Sequence, residues 1–215
     1  MRPGSILRGV ALALTVMLTA GQAGAASPDE AAQFIRDLGT EAIDNLADME
    51  LSEQEREARF QKMLNEGFAM KEISRFVLGR YWRVASPEEQ ESFRKTLQQV
   101  LADRFAPMFT NYGKNDFKVL KGQDDPSNPK LYMVTTRIKD PTSGNMVTAK
   151  WRVQHKDGDF AIVDVKAEGV SMAITLRSEY NSVIQRNDGS VAALIDKMQE
   201  ALNRDSGEGS DASEG

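Results

Sequence analysis

The sequence predicts a single α+β domain, because helical patterns fill its first half, strand patterns follow, and helical patterns return at the end. Apolar residues recur every three or four positions up to about residue 108, and they alternate with polar residues between about 117 and 167. Helices on both sides of a block of hairpin-linked strands are typical of this class. We therefore expect a curled antiparallel sheet of four strands, wrapped by N-terminal and C-terminal helices.

Three helix starts share one capping pattern, in which a serine is followed three residues later by a glutamate. Ser27, Ser52 and Ser86 occupy the serine position. The two side chains of such a pair satisfy each other's main-chain N–H groups. Pro28 and Pro87 directly follow two of the serines, and proline is favoured at the first helical position. The pattern predicts that three helices begin here.

Two glycines and one proline predict where helices stop or bend. Gly67 ends the second helix, and Gly79 stops a short helix that covers residues 71–78. The longest helix has an apolar stripe that continues to Met108, with Pro107 inside it. The ring of that proline clashes with the carbonyl four residues earlier, so we expect a kink there rather than an end.

The middle of the chain predicts four strands. They are rich in β-branched and aromatic residues and cover residues 117–121, 131–139, 146–155 and 160–167. In the third strand Val147, Ala149 and Trp151 alternate with Lys150 and Arg152, so one face of the sheet is apolar and the other faces water. The helices are expected on the apolar face.

The chain closes with two predicted helices over residues 172–186 and 190–203. The tail over 205–215 contains only Ser, Gly, Asp and Glu apart from one Ala. A segment of this composition buries no apolar surface, so we expect an acidic, disordered tail.

The first residues have the features of a signal peptide. Arg2 and Arg8 are positive, residues 10–20 are apolar, and small residues precede a cleavage point. The signal peptide therefore covers residues 1–25 and the mature chain begins at Ala26. The alternative is an uncleaved membrane anchor.

The composition excludes several classes of function. Removing the leader lowers the 27 Lys and Arg to 25 against 32 Asp and Glu, which leaves the mature chain at −7. This charge argues against nucleic acid and against standing attachment to anionic lipid surfaces. The chain has no Cys, so it has neither disulfides nor thiolate chemistry. No later apolar run is long enough to span a membrane.

Few residues suggest catalysis. A metal site needs more ligands than the single histidine, His155, can supply, and no P-loop motif occurs. Asp164 and Glu168 are the best candidates for paired carboxylates, because they share a face of the last strand if that strand is regular. The alternative is a solvated pair that flanks Lys166.

Two long segments carry a resemblance to a known family. One runs from Ile73 to Arg83 and contains Leu-Gly-x-x-Trp, and the other runs from Asp164 to Tyr180 and contains Glu-Gly-Val-Ser. Both resemble the MlaC family, also called the toluene-tolerance family, over nearly all of the mature chain. The resemblance implies one lipid-binding domain over residues 26–204, in the periplasm, with no enzyme activity and no cofactor. The acidic tail is not part of the family core.

The resemblance also implies a deep apolar cavity that holds two lipid tails. The matching wall positions on the helical side are Phe76, Val77, Leu78 and Trp82. Those on the sheet are Tyr132, Val134, Val147, Ala149, Trp151 and Ile162, followed by Val170 and Met172 where strand gives way to helix. Arg177 and Tyr180 match the family's polar cluster and are expected to meet the lipid phosphate. By periodicity alone the aromatic residues are core aromatics, and only the resemblance makes them cavity walls; the alternative for Arg177 and Tyr180 is a structural cap on the helix.

Partners follow from the same resemblance. Family members carry phospholipid between an outer-membrane lipoprotein–porin complex and an inner-membrane ABC transporter with a substrate-binding ring, which maintains outer-membrane lipid asymmetry. A hopanoid-associated branch, or a carrier of another lipid, is the alternative within the family. Two rivals from other classes are a small pocket enzyme using Asp164 or Glu168, and an adaptor that binds envelope proteins without a ligand.

Overall fold

The computed structural model describes residues 26–140 and 142–211, which fold into helices followed by a sheet and two further helices. The helices α1–α6 are Pro28–Leu46, Glu53–Gly67, Met70–Leu78, Pro87–Phe105, Met172–Arg186 and Val191–Asp211. Two 3₁₀ helices, Gly79–Arg83 and Ala106–Asn111, follow α3 and α4. The strands β1–β5 are Phe117–Asp124, Leu131–Lys139, Met146–Lys156, Asp159–Ala167 and Val170–Ser171. The predicted α+β class is confirmed.

The three predicted capping motifs are all present. The hydroxyl oxygens of Ser27, Ser52 and Ser86 each accept a hydrogen bond of 3.2 Å from the main-chain N–H of the glutamate three residues later. Each glutamate carboxylate in turn accepts from the main-chain N–H of its serine, at 2.7, 3.0 and 2.8 Å. These reciprocal bonds satisfy donors that a helix start leaves without partners.

Two predicted helix ends are wrong. The long helix ends at Phe105 instead of kinking, and Pro107 lies in the first turn of the following 3₁₀ helix. Proline lacks the N–H that the α-helical ladder needs there, so the ladder stops before it. The last helix continues past residue 203 to Asp211, since propagating a formed helix costs far less than starting one. The predicted leader and residues 212–215 lie outside the described residues.

The sheet has strand order β1-β2-β3-β4-β5, and every neighbouring pair is antiparallel. The fifth strand adds to the four predicted. Glu168 and Gly169 both have positive φ, 48° and 85°, so the chain reverses at once and Val170 pairs back to Ala167. The strand therefore folds back on itself at Gly169, and α5 starts directly after this short return.

β1 is longer than the sequence predicts, and the reason is a close contact with α1. A Cβ atom added to Gly122 would lie 2.0 Å from the main-chain carbonyl oxygen of Pro28. Only glycine lets the strand pass this close to the first turn of α1. The Gly, Asp and Pro residues after position 121 predicted a loop, but the strand continues to Asp124. At the same end of the sheet, the Tyr132 hydroxyl donates a hydrogen bond to the main-chain carbonyl of Ala26.

The buried apolar residues form two clusters instead of one. The helical cluster joins the end of α1 to α2–α6, and its fully buried members include Leu46, Val77, Leu78, Phe93, Leu97 and Ile184. The sheet cluster joins the start of α1 to β2–β4 through Ala31, Ala32, Ile35, Val134, Val153 and Ile162. Among the described residues, no helix is long and apolar enough to cross a membrane.

Candidate functional site

The helical and sheet clusters meet at a boundary that we call the seam, and Phe68 lies on it. Its half-buried side chain packs against both the helical and the sheet cluster. Its main chain forms an isolated parallel bridge with Ile162 of β4, where the Ala69 N–H donates to the Ile162 carbonyl at 2.9 Å. The joint between α2 and α3 is thus held to the sheet at one backbone position, while the side chains on either side belong to separate clusters.

One cleft, with a volume of about 400 Å³, opens between α1 and α2 and is lined by Gly67, the residue before Phe68. Its apolar lining comes from both clusters and consists of Phe34, Leu38, Ala42, Leu46 and Met63. Charged side chains from the same two helices also line it: Asp37, Glu41, Arg59, Lys62 and Glu66. The cleft therefore combines an apolar surface with a strongly polar one.

A second cleft of about 460 Å³ lies between Phe68 and the start of α4. Phe68, Met70 and Trp82 supply its apolar lining, with charged and amide groups of α4 around them. Both clefts have volumes within the range of small-molecule sites, roughly 300–1,000 Å³.

Of these lining residues, only Trp82 was predicted from the sequence as a site residue. Phe34, Leu38 and Met63 fall on regular helical stripes, which predict core packing and say nothing about an adjoining space. Phe68 directly follows the residue that ends α2, so it belongs to no periodic pattern. No signal in one sequence would have identified it.

The predicted wall residues on the helical side fall mainly in the helical cluster. Val77 and Leu78 are completely buried there, and Trp82 and Met172 pack against it while half-buried. Phe76 points the other way and is 42% exposed. Four of these five side chains therefore belong to one packed surface.

The predicted wall residues on the sheet fall on one face. Val134 and Ile162 are completely buried in the sheet cluster, and Tyr132 and Trp151 pack against it. Ala149 is buried and Val147 half-buried along the same face of β3. The structure thus places the predicted sheet residues along the sheet cluster and most of the predicted helical residues in the helical cluster.

Two predicted site residues lie at the surface near the start of α5. They are Val170, which is 64% exposed, and Phe76 of α3; Ile174, in the first turn of α5 and not among the predicted site residues, is 60% exposed. Phe76 is the third exposed apolar side chain at this end of the molecule, and it contacts Arg177 of α5. Val170 therefore presents its side chain to solvent and does not pack into either cluster.

Polar side chains of α5 satisfy the last carbonyls of α3. The Arg177 guanidinium donates to the Phe76 carbonyl at 3.2 Å, and the Asn181 amide donates to the Val77 carbonyl at 2.8 Å. Gly79 ends α3 with φ 58°, and its Cβ position would be 2.9 Å from the Arg177 guanidinium. Arg177 thus caps α3, as one of the two sequence readings expected, while its exposed guanidinium carries further N–H donors.

Tyr180 lies one turn from Arg177 but in different surroundings. Its ring packs edge-on against Phe93 of α4, with 6.0 Å between ring centres. Burial raises the pKa of the Tyr180 hydroxyl to about 12; Glu179 adds to this shift and Arg104 opposes it. The phenol therefore keeps its proton at physiological pH. The two side chains that the resemblance places together extend towards separate helices, α3 and α4.

The predicted carboxylate pair does not form. Asp164 is buried and accepts hydrogen bonds from the Ser171 hydroxyl at 2.7 Å and the Ala173 N–H at 3.1 Å, so it caps α5. Glu168 lies in the tight turn and accepts from the Thr148 N–H at 3.1 Å. The strand is regular from Asp164 to Ala167, but it ends there, and the positive φ of Glu168 places this residue in the turn and not on the strand face that the prediction assumed. Across the described residues, no group of three or more His, Cys, Asp or Glu could hold a metal ion.

The most strongly perturbed carboxyl group belongs to Asp125, in the loop between β1 and β2. Burial alone would raise its pKa, but hydrogen bonds from Ser127 and from the Arg152 guanidinium, 2.7 Å away, outweigh that effect and lower the pKa to about 2. These contacts tie the loop to the polar face of β3. Asp125 therefore has a structural role, and its contact with Arg152 lies on the face of the sheet opposite the sheet cluster.

Comparisons with known proteins agree on one family. The profile of the family described as MlaC protein matches residues 25–200. The intermembrane phospholipid transport system binding protein MlaC of Haemophilus influenzae is 25% identical over 129 residues, which cover 60% of this chain and 59% of that protein. The match therefore spans less than two thirds of that relative.

A solved structure has the same fold. It is the phospholipid-binding protein of Ralstonia solanacearum in complex with a phospholipid, and it matches with a TM-score of 0.68 at 16% identity. The match covers 82% of this chain and 98% of that one. At this level of identity the likeness establishes the architecture only.

Proposed function

Because the chain belongs to the MlaC protein family, we propose that it is a phospholipid carrier that takes up acyl tails along the seam between its helical and sheet clusters. The observation that carries this proposal is the divided core. A domain of this size usually has one contiguous core. Here the two clusters meet at Phe68, which lines one cleft, while the adjacent Gly67 lines the other.

The physical requirement on such a carrier is large. Two acyl tails contain about 30 methylene groups, and exposing each of them to water costs about 0.8 kcal/mol, so free transfer costs on the order of 25 kcal/mol. A carrier must cover this surface with apolar side chains and needs no catalytic group. The seam offers such side chains from both clusters.

We assign the headgroup to the end of the molecule where α3 and α5 meet. Arg177 is exposed there, and its planar guanidinium suits phosphate oxygens. Its bond to the Phe76 carbonyl positions the group without using all of its donors. The exposed Phe76, Val170 and Ile174 surround the same end and supply an apolar border for the glycerol region.

The cellular role follows from the family and from the signal-peptide pattern. We place the mature protein in the periplasm, where it carries phospholipid between an outer-membrane lipoprotein–porin complex and the substrate-binding ring of an inner-membrane ABC transporter. The Haemophilus relative is named as the binding protein of an intermembrane phospholipid transport system, which supports this assignment. ATP hydrolysis belongs to the transporter, and the carrier itself supplies binding alone.

Native mass spectrometry of protein purified from its own periplasm tests the ligand directly. We expect an adduct that organic extraction identifies as a diacyl glycerophospholipid. A hopanoid in the extract would move the protein to the other branch of the family. A folded protein that never carries lipid, and takes none from vesicles, would overturn the carrier proposal in favour of a ligand-free adaptor.

A pair of matched substitutions tests the seam. Met63→Glu places a carboxylate in the lining of the α1–α2 cleft, where bound tails would strip it of water. Met49→Glu makes the same change at a side chain that is 82% exposed. We expect the first variant to lose most of its copurified lipid and the second to keep it. Equal lipid in two folded variants would show that tails do not use this cleft.

A further inference from the structure

Ser74 has a hydroxyl group with no partner inside the fold. It is completely buried on α3. Among the side chains that the structure describes, its oxygen is the only buried nitrogen or oxygen atom without a hydrogen bond. Native proteins satisfy nearly all such groups, so each exception calls for an explanation.

The side chains that share the buried face of α3 with Ser74 offer it no partner. The other buried residues of α3 are Met70, Ile73, Val77 and Leu78, all of which are apolar. This helix packs against α4, α5 and β4, so it forms the helical wall at the seam. A serine at this position costs stability unless a ligand supplies an acceptor.

We infer that the Ser74 hydroxyl donates a hydrogen bond to an ester carbonyl of the bound glycerolipid. This inference rests on the proposed function. Acyl tails have no polar atoms and cannot satisfy a hydroxyl. The ester carbonyls are the acceptors that a glycerophospholipid brings furthest into an apolar site, because its phosphate remains in contact with water.

The position of Ser74 relative to Arg177 fits the order of groups along such a lipid. Arg177 is bonded to the carbonyl of Phe76, two residues after Ser74 and on the order of 3 Å further along the helix axis. Phe76 faces outward, whereas Ser74 faces the interior. A lipid that crosses from surface to interior at this turn has its phosphate beside Arg177 and its esters beside Ser74.

The test compares an ester lipid with its ether analogue. Delipidated protein is titrated with dioleoyl phosphatidylglycerol and with the same headgroup and chains joined by ether bonds, which lack the carbonyl. We expect the unmodified protein to prefer the diester about fivefold, the ratio that one net hydrogen bond gives. Ser74→Ala should lower this ratio to about one, with little change in diether binding.

Ser182→Ala is the matched control, because Ser182 is exposed on α5 and its hydroxyl already donates to the Ser178 carbonyl at 2.8 Å. It should keep the ester preference. Lipid-free Ser74→Ala should be at least as stable as the parent, since it removes an unsatisfied group. An unchanged ester preference in Ser74→Ala, or a clear loss of stability without lipid, would overturn the inference. If the parent protein binds neither lipid, the carrier proposal fails first, so the two failures are distinguishable.

Discussion

The Arg177 guanidinium lies 5.0 Å from the centre of the Phe76 ring and donates a 3.2 Å hydrogen bond to the carbonyl of the same residue. One side chain thus holds α5 against the end of α3 through both a ring contact and a main-chain bond. Because the Arg177 side chain is exposed, each contact contributes only modestly to the free energy of unfolding. A cation–π contact of this kind is worth about 0.5–1 kcal/mol.

Replacing Arg177 separates its capping role from a role in headgroup binding. Arg177→Ala should lower the melting temperature by only a few degrees, since about 1 kcal/mol shifts a domain of this size by roughly 2–4 °C. Retained phospholipid should fall severalfold, and Arg177→Lys should restore part of it because an ammonium replaces a bidentate fork. Arg186→Ala, at an exposed arginine in the last turn of α5, serves as the control. Normal lipid content in Arg177→Ala, with only the stability loss, would leave the cap as its sole function.

Gly79 tests how closely α3 and α5 depend on each other. Gly79→Ala combines backbone strain at φ 58° with a contact of 2.9 Å to the Arg177 guanidinium, and we expect a loss of about 1–3 kcal/mol in urea unfolding. Gly144→Ala has strain at φ 72° but no atom within 4 Å, so it measures strain alone. In an Arg177→Ala background the loss at Gly79 should shrink. Additive losses would mean that the guanidinium moves aside without cost.

The Asp125 carboxyl should make stability fall in acid. Its folded pKa of about 2 is below the ordinary value of 3.8. The group therefore contributes fully above about pH 4 and loses its contribution as the pH falls towards 2. A shift of this size corresponds to about 2 kcal/mol. Asp125→Asn should lose that amount at neutral pH and flatten the acid side of the curve, as measured by urea unfolding between pH 2 and 6. Asp124→Asn, at the exposed neighbouring residue, should change neither the stability at neutral pH nor its fall in acid. If the stability of Asp125→Asn falls as steeply in acid as that of the parent, Asp125 is not the group responsible.

Two glycines that contact other elements should respond differently to alanine. At Gly122 the new Cβ would meet the Pro28 main-chain oxygen at 2.0 Å, whereas at Gly39 it would meet the Phe117 ring at 2.4 Å. A ring can rotate away and a helix backbone cannot, so Gly122→Ala should cost clearly more in urea unfolding. Equal costs would indicate that α1 shifts as a unit on the sheet.

Local chemistry explains what the sequence could predict. The capping serines form their bonds within four residues, and the boundaries of β2 and α5 follow the predicted segments. β1 was predicted too short because Gly122 was interpreted as a loop residue. Its role is to allow a close contact with Pro28, which is far away in the sequence. The same limit applies to the candidate site. Periodicity shows that a side chain is buried, but it cannot show that buried side chains belong to two clusters or that a hydroxyl such as Ser74 has no partner.

The contact between Pro28 and Gly122 joins α1 to a strand that comes much later in the chain, which affects the order in which the fold can be completed during synthesis. α1 comes before the strands in the chain, yet the buried apolar residues of its first half belong to the sheet cluster with β2, β3 and β4. The strands pair through successive hairpins, which close quickly because their partners are adjacent in the chain. Until the strands have formed, the apolar residues Ala31, Ala32 and Ile35 of α1 are exposed to solvent. We expect the nascent protein to be most prone to aggregation during this interval, before α1 packs on the sheet.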